Sequence, residues 1–407
     1  MSLRYIPRAI EPVLRRAARE FPAVVLTGPR QSGKTTLLKR LFAGSHRYAS
    51  LELPDVRAGA LADPRGFLEL HAPPVILDEV QCAPELLPYV KEQIDADRRR
   101  AGRFLLTGSQ NLLLMERVTE SLAGRAATLK LLPVSQRELR GSPRAPFAWE
   151  RRGARGLAGP RSQPALWRSL LRGGYPELAA DPRRDLSLWH ASYIQTYLER
   201  DVRSLRLVGD LSSFQAFVRA LAARCGQLLN LTNLSRDLGV AVNTAKAWLS
   251  LLEASFQVVL LRPYFANIGK RLVKTPKLYF TDVGTLCHLV GLTDAQHAAA
   301  GPLAGALFES AVLSEITKTL THRGAEPEVY FWRTSAGVEV DFVVKSGQKL
   351  IPIEVKLSGT PRPSMADSIR AFRRDFGRLA GPGYVVHPGS VTAALAPGVT
   401  ALGFADL

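Results

Sequence analysis

Short apolar runs punctuate the first third of the chain: AVVLT at residues 23–27, PVILDE at 74–79 and RFLLTGS at 103–109. Runs of this length bounded by turn residues are too short for helices and read as strands buried on both faces. The segments between them carry helical spacing, and strands alternating with helices predict a parallel sheet with crossover helices. From residue 164 to about 292 the pattern is mostly helical, and from about 298 strands return in PEVYFWRT, VEVDFVVKSG, LIPIEVKLS and GYVVHPG. Residues 140–163, RGSPRAPFAWERRGARGLAGPRSQ, have no apolar period and predict a flexible connector or mobile loop. The chain is therefore expected to be α/β: a parallel-sheet core at 1–139, a connector at 140–163, a helical region at 164–292 and a second α/β domain at 293–407.

Composition adds limits. The 407 residues leave room for two or three domains, and 46% hydrophobic with 22% charged residues is ordinary for a globular protein. No apolar run is long enough to span a bilayer, and MSLRYIPRAI lacks the core of a signal peptide, so the expectation is a cytoplasmic protein with no membrane partner. Three well-separated cysteines, Cys82, Cys225 and Cys287, suggest reduced thiols, not a disulfide framework or zinc site. The net charge of +18 favours polyanions, although arginine is abundant here alongside alanine, leucine and glycine, and scattered arginine is commonly solvated surface.

The candidate chemistry starts at GPRQSGKTT, residues 28–36, directly after the first apolar run. Gly28, Gly33, Lys34 and Thr35 match the phosphate-binding loop G-x-x-x-x-G-K-[ST]. The loop Gly28, Pro29, Arg30, Gln31, Ser32, Gly33, Lys34, Thr35 and Thr36 would cradle the phosphates of ATP on backbone N–H groups at a helix N-terminus. Lys34 would reach the β and γ phosphates and Thr35 would ligate Mg²⁺. Leu37, Leu38 and Leu41 lie at inward spacing on the helix, with Gly44 as its C-terminal cap.

Val75, Ile76 and Leu77 form a central strand whose carboxyl end carries Asp78 and Glu79. Asp78 fits the metal-associated acid of such a sheet, and Glu79 can orient or deprotonate water, which points to hydrolysis and not transfer. RFLLTGSQN reads as a third buried strand, and its Thr107 and Ser109 are candidate γ-phosphate sensors or, equally, turn and cap residues. Arg125 could serve as a finger on the γ-phosphate of its own or a neighbouring subunit, or as a surface ion pair.

In the middle region, LLNLTNLSRDLGVAVNTAKAWLSLLEASFQVVLLRPY reads as helix, turn, helix and strand within residues 212–292. Leu231, Leu234 and Leu238 mark one apolar face, and Gly239 breaks the chain. Asn243 or Thr244 would cap a second helix with Ala247, Trp248, Leu251 and Leu252 inward. A basic wing with Lys270, Arg271, Lys274 and Lys277 would follow, so the segment looks like a winged helix. Its second helix exposes Lys246 but also Ser250 and Glu253, a poor set for reading base edges, so packing or protein docking is favoured over sequence-specific DNA reading. At the end, Asp341 lies on one strand and Glu354 and Lys356 on the next, two residues apart and so on one face. Carboxylates and a lysine converging at a sheet edge could bind Mg²⁺ and activate water.

GPRQSGKTT, ILDEVQ, FLLTGSQN, SLAGR, GGYPEL and KTPKLYFTDVG together resemble the prokaryotic AAA-type ATPases fused to domain-of-unknown-function family 4143, over nearly the whole chain. The resemblance implies an ATP-binding core, a winged-helix segment and a C-terminal nuclease-like fold. The terminal constellation itself is similar to the restriction-endonuclease-like PD-(D/E)xK fold, in which a helix often adds another acid, here Glu309. Two functional readings follow. One is an ATPase coupled to a DNA-associated, nuclease-like half; the other is a nucleotide-dependent switch for partner proteins with an inert terminal domain. A homo-oligomer follows from analogy with AAA-type ATPases alone.

Overall fold

A computed structural model describes residues 4–109, 120–151, 162–197, 210–264 and 275–407. The first-third strands are β1 (Ala23–Gly28), β2 (Arg47–Ser50), β3 (Val75–Asp78), β4 (Phe104–Ser109) and β5 (Ala126–Lys130). They form one sheet in the order β2-β3-β4-β1-β5, every pair parallel. β1, β3 and β4 are buried along their whole length, which is why they read as continuous apolar runs, whereas the edges β2 and β5 are partly exposed and carry no such run.

Alternation along β1 sends Val24 and Leu26 to one face, where they pack with α1 (Glu11–Glu20) and α2 (Lys34–Phe42). Ala23 and Val25 go to the other face, against α3 (Pro54–Ala62), α4 (Pro64–Leu70) and α5 (Leu87–Ala96). Leu37 and Leu38 are buried, as their spacing requires, and Leu41 is partly so. The α2 cap is Ala43 and not Gly44, because the chain is still right-handed there and needs no glycine.

A short helix α6 (Gln136–Leu139) leads out of this layer. The helical region follows as α7 (Gln163–Arg172), α8 (Pro176–Ala180), α9 (Leu186–Tyr197), α10 (Leu211–Ala223), α11 (Leu231–Leu238) and α12 (Val242–Ala254). An antiparallel pair, β6 (Val258–Leu261) and β7 (Lys277–Phe280), closes it. The expected face of α11 is present, with Leu234 fully buried and Gly239 left-handed at its end. Asn243 and Thr244 do not cap α12: the helix starts at Val242 after extended Ala241, so both lie inside its first turn. Lys277 adds no exposed basic charge to the expected wing, since it sits buried on β7 and pairs with Glu339. Lys270, Arg271 and Lys274 lie outside the described residues.

The last part holds α13 (Val283–Leu289), α14 (Ala295–Ala300), α15 (Ala304–His322) and α16 (Asp367–Phe376) around a mixed sheet. Its strands are β8 (Val329–Arg333), β9 (Glu339–Ser346), β10 (Lys349–Val355), β11 (Gly383–His387), β12 (Ala393–Ala396) and β13 (Val399–Gly403), in the order β12-β13-β11-β10-β9-β8. One continuous cluster of buried apolar side chains runs from Phe147 through the helical region to Leu407.

Part of the expected loose connector belongs to this cluster. Phe147 is fully buried, stacks on Trp149 and lies under the Arg137 guanidinium, so residues 140–151 are packed although they show no apolar period. Arg137 in turn donates to Glu315 of α15 at 3.0 Å, and the N–H groups of Gln136 and Arg137 end on the same carboxylate, tying the parallel-sheet layer to the terminal domain. Among the described residues no helix is long and apolar enough to cross a membrane.

Candidate functional site

The turn after β1 is built from backbone geometry that side chains resist. Gly28 has φ +144°, and a Cβ there would lie 2.1 Å from the Leu131 carbonyl oxygen. Gly33 is left-handed at +93°, and so is Gln31 at 58°, a conformation costly for a residue with a Cβ. These turns wrap the loop around the Lys34 ammonium, which donates to the carbonyls of Gly28 at 3.0 Å and Pro29 at 2.9 Å and is nearly buried. Gly33 caps α2 without a side chain, so the first-turn N–H groups of α2 face outward with the positive end of the helix dipole, an arrangement suited to phosphate.

Asp78, at the carboxyl end of β3, is the focus of the second half of the site. Thr35 Oγ1 donates to its carboxylate at 2.9 Å, and Thr107 Oγ1 from β4 donates to the same oxygen. Tyr48, from the neighbouring edge strand, donates to the other oxygen at 2.8 Å. Burial and this hydrogen bond push the Tyr48 phenol up to about 12, so it stays protonated and a donor. A hydroxyl beside a carboxylate is the hard-oxygen donor set that Mg²⁺ takes in such sites, and Thr35 with Asp78 therefore fits the cation.

Glu79 follows in the left-handed region at φ 55°, which turns the chain sharply after the strand. Its carboxylate is held by Gln81 Nε2 and the Ser109 N–H at 3.4 Å, while its own N–H donates to Thr107 Oγ1 at 3.1 Å. The residues proposed as sensor candidates thus both contact the acidic pair: Thr107 links Asp78 to the Glu79 backbone, and Ser109 holds the Glu79 side chain.

Lys34, Thr35, Thr36 and Glu79 line one cavity of about 390 Å³ together with residues that spacing did not single out. Arg4, Tyr5 and Ile6 supply one wall, and Pro176 and Glu177 of α8, from the GGYPEL stretch, supply another. Arg8 is buried and holds the loop from outside, donating to the Ser32 carbonyl at 3.0 Å and the Leu132 carbonyl at 2.6 Å. It is anchored 3.2 Å from Glu138, which also accepts from the Ala9 N–H and lies 3.1 Å from His322 of α15. Burial alone would push the Glu138 carboxyl up, but Arg8, His322 and the Ser135 N–H hold it below the usual range. Burial lowers His322, whose Nε2 accepts from the Leu132 N–H.

Arg125 is not brought to this cavity. It precedes β5 at the level of Ala23, the opposite end of the strands from the loop, roughly 17 Å away at 3.3 Å per residue. There its guanidinium grips Asp95 with two hydrogen bonds, at 2.7 and 2.9 Å, so within its own chain it is an ion pair and not a finger.

In the terminal domain Glu309, Asp341, Glu354 and Lys356 share one electrostatic neighbourhood. Burial, with Glu354 and Glu309 nearby, pushes the Asp341 carboxyl well up, and burial likewise raises Glu309. Each carboxylate is nonetheless turned to its own partner. Asp341 accepts from the Val355 N–H at 2.8 Å, Glu309 from the Tyr279 hydroxyl at 3.0 Å, and Glu354 from Lys356 at 2.6 Å and Ser368 at 2.8 Å. Among the described residues no three His, Cys, Asp or Glu side chains are grouped closely enough to hold a metal ion.

Residues 20–140 match the family described as AAA domain, and residues 163–296 and 304–407 match two domains of unknown function, DUF8612 and DUF4143. Uncharacterized proteins of Mycobacterium bovis and Mycobacterium tuberculosis are each 34% identical over 380 residues, covering 92% of this chain and 78% of the relative. Among solved structures, the chain is similar to a Walker-type ATPase of Pyrococcus abyssi, at 16% identity over 70% of this chain and 96% of that one, with a TM-score of 0.46. It is also similar to a RuvB variant of Thermotoga maritima, at 17% identity over 62% and 88%, with a TM-score of 0.28. With its glycine-shaped phosphate loop, its Thr35–Asp78 pair and its match to both end domains, the chain belongs to the AAA-type P-loop ATPases fused to a DUF4143 domain.

Proposed function

We propose that this ATPase is Mg²⁺-dependent and spends its hydrolysis on DNA, with the helical and terminal domains as the parts that its nucleotide state moves. The observation that carries the hydrolytic half is the convergence of Lys34, Thr35 and Glu79 on one cavity, with Asp78 bonded to Thr35 behind them and accepting three hydroxyl hydrogen bonds. Thr35 and Asp78 would hold Mg²⁺, which would supply positive charge to offset that of the phosphates. Lys34 would move from its two loop carbonyls to the phosphates, and Glu79, already oriented by Gln81 and Ser109, would take a proton from the attacking water. Pro176 and Glu177 line the same cavity, so closure on ATP bears directly on the helical region.

DNA as the polymer acted on is supported by the net charge of +18, the helix-turn-helix with its antiparallel pair, which looks like a winged helix, and the acid-lysine neighbourhood of the restriction-endonuclease-like terminal sheet. A second reading is favoured by one observation: the terminal acids already have internal partners, which suits an inert scaffold in a switch for partner proteins. Phosphate release with Mg²⁺ by the full chain and by Lys34→Ala, across a titration of duplex and single-stranded DNA, tests both. The expected result is a loss of roughly a hundredfold or more in the variant and stimulation of the wild type by DNA. Lys34-dependent hydrolysis that ignores DNA would select the partner-protein switch, and hydrolysis that survives Lys34→Ala would overturn the assignment of the site.

A further inference from the structure

At the end of the parallel sheet opposite the phosphate loop, the fold joins two arginine-rich stretches that lie about eighty residues apart: RRAAR, at 15–19, and RRRAGR, at 98–103. Gly102 makes the join. Its N–H donates to the Phe21 carbonyl and the next N–H to that of Pro22, both at 2.9 Å. Gly102 is left-handed at φ +67°, and a Cβ there would lie 2.6 Å from the Ala18 carbonyl, so the loop presses against α1 as closely as the backbone permits. Between them opens a cleft of about 430 Å³ lined by Arg15, Arg19, Arg100 and Arg103 with Ser45 and His46. Buried Arg103 Nε has no hydrogen-bond partner there.

Helix ends alone do not explain so much charge. The carboxyl ends of α1, α2 and α5 meet at this edge and together supply about one and a half negative charges. Glu20, Asp95 and Asp97 add three carboxylates, but Asp95 is already taken by Arg98 at 3.1 Å and Arg125 at 2.7 Å. Among the described residues none of Arg15, Arg16, Arg19, Arg99 and Arg100 pairs with a carboxylate, and all five are exposed.

From this juxtaposition we infer that the arginine cleft between α1 and residues 98–103 is a docking surface for the phosphate backbone of duplex DNA. The inference rests on the reading that the ATPase acts on DNA, and it moves the contact from the terminal half to the ATPase body. The guanidinium groups are spread along a helix and a loop and do not converge on one point, which suits successive phosphates better than a single small anion. Binding here is blind to sequence and driven by counterion release.

The test is fluorescence anisotropy of a labelled duplex of about 25 base pairs, titrated with the full chain from 50 to 200 mM salt. The proteins are wild type, Arg15→Glu/Arg19→Glu/Arg100→Glu, and a control carrying the same charge change on another surface, Arg362→Glu/Arg370→Glu/Arg374→Glu. The cleft variant is expected to bind at least about tenfold more weakly at 50 mM salt, with the slope of log K against log salt shallower by about three, near 0.9 for each lost phosphate. The control is expected to lose much less, and DNA-free ATP hydrolysis is expected to be unchanged in both, because the cleft and Lys34 lie at opposite ends of the strands. An unchanged slope in the cleft variant, or an equal loss in the control, overturns this surface while leaving DNA as the partner. Wild type that binds no duplex at any salt overturns both, while the Lys34→Ala assay still judges the ATPase site separately. Arg→Gln substitutions at the same three positions serve if the Glu set fails to fold, with half the charge change and the same sign of effect.

Discussion

Asp78 and Asp341 are both nearly buried aspartates on strands that end at a cluster of polar groups, yet their surroundings differ in kind. Asp78 accepts from Thr35, Tyr48 and Thr107, three neutral donors that orient a negative charge without cancelling it. Asp341 accepts one backbone N–H and sits among other acids, with burial the main force pushing its carboxyl up. Around it the lysines are already engaged, Lys356 by Glu354 and Lys277 by Glu339. A hydroxyl shell keeps an acid ready for an external cation, while internal ion pairs and a retained proton satisfy acids within the fold. The two ends of the chain therefore hold similar residue types under opposite electrostatic conditions.

Glu79→Gln is the sharpest probe of the first site. If Glu79 handles the proton of the attacking water, its amide variant is expected to lose about 100- to 10,000-fold in phosphate release. Binding of a fluorescent ATP analogue should persist, because Lys34, Thr35 and Asp78 remain. Hydrolysis within a few-fold of wild type would leave Glu79 as only the partner of Gln81 and Ser109, and would narrow the contrast with the terminal acids.

How much of this was readable beforehand depends on whether the information is local in the chain. The phosphate loop was, because Gly28, Gly33, Lys34 and Thr35 occupy one turn and the buried strands β1 and β3 announce themselves as apolar runs. Tyr48 was not, because RYAS is a short edge strand with two exposed residues and no apolar run, and its role appears only when β2 pairs beside β3. Arg8 acts on the Leu132 carbonyl 124 positions away, a separation that no spacing rule reaches. For Arg125 the choice between finger and ion pair stayed open, because SLAGR does not say at which end of its strand the arginine will sit. The charge count, likewise, could not show that residues 15–19 and 98–103 meet, since that depends on the backbone contact at Gly102.

Asp341→Asn probes the second site, with a smaller effect. The native carboxyl is raised above its unfolded value near 3.9, so as pH rises through that interval the unfolded chain gives up its proton first and stability falls. Asparagine cannot ionise and still accepts from the Val355 N–H. Its unfolding midpoint is expected to exceed wild type by about 2–4 °C at pH 8, with the gap closing toward pH 5. A wild type more stable than the variant at pH 8 would mean that the ionised form is held in the fold. Mg²⁺ that raised the wild-type midpoint alone would then assign a cation to Asp341, making the two sites alike.

Tyr48→Phe is the subtlest change and asks whether the hydroxyl shell of Asp78 matters as a shell. The ring stays, and with it the Lys39 ammonium 3.5 Å from the ring centroid, so only the donor to the carboxylate is lost. Thr35 still reaches both carboxylate oxygens and Thr107 one of them, so the carboxylate keeps its place but loses one of its three donors. A hydrogen bond to a charged group contributes about 1.5 kcal/mol or more when dry, and less here because Tyr48 is 37% exposed. The expected outcome is a rise of about three- to fivefold in the Mg²⁺ concentration that half-saturates hydrolysis, with kcat at saturating Mg²⁺ and the unfolding midpoint unchanged. A purely structural tyrosine would move the midpoint and not the Mg²⁺ dependence. A fall in the half-saturating Mg²⁺ would show that the hydroxyl competes with the cation for Asp78, which reverses the role assigned to its donors.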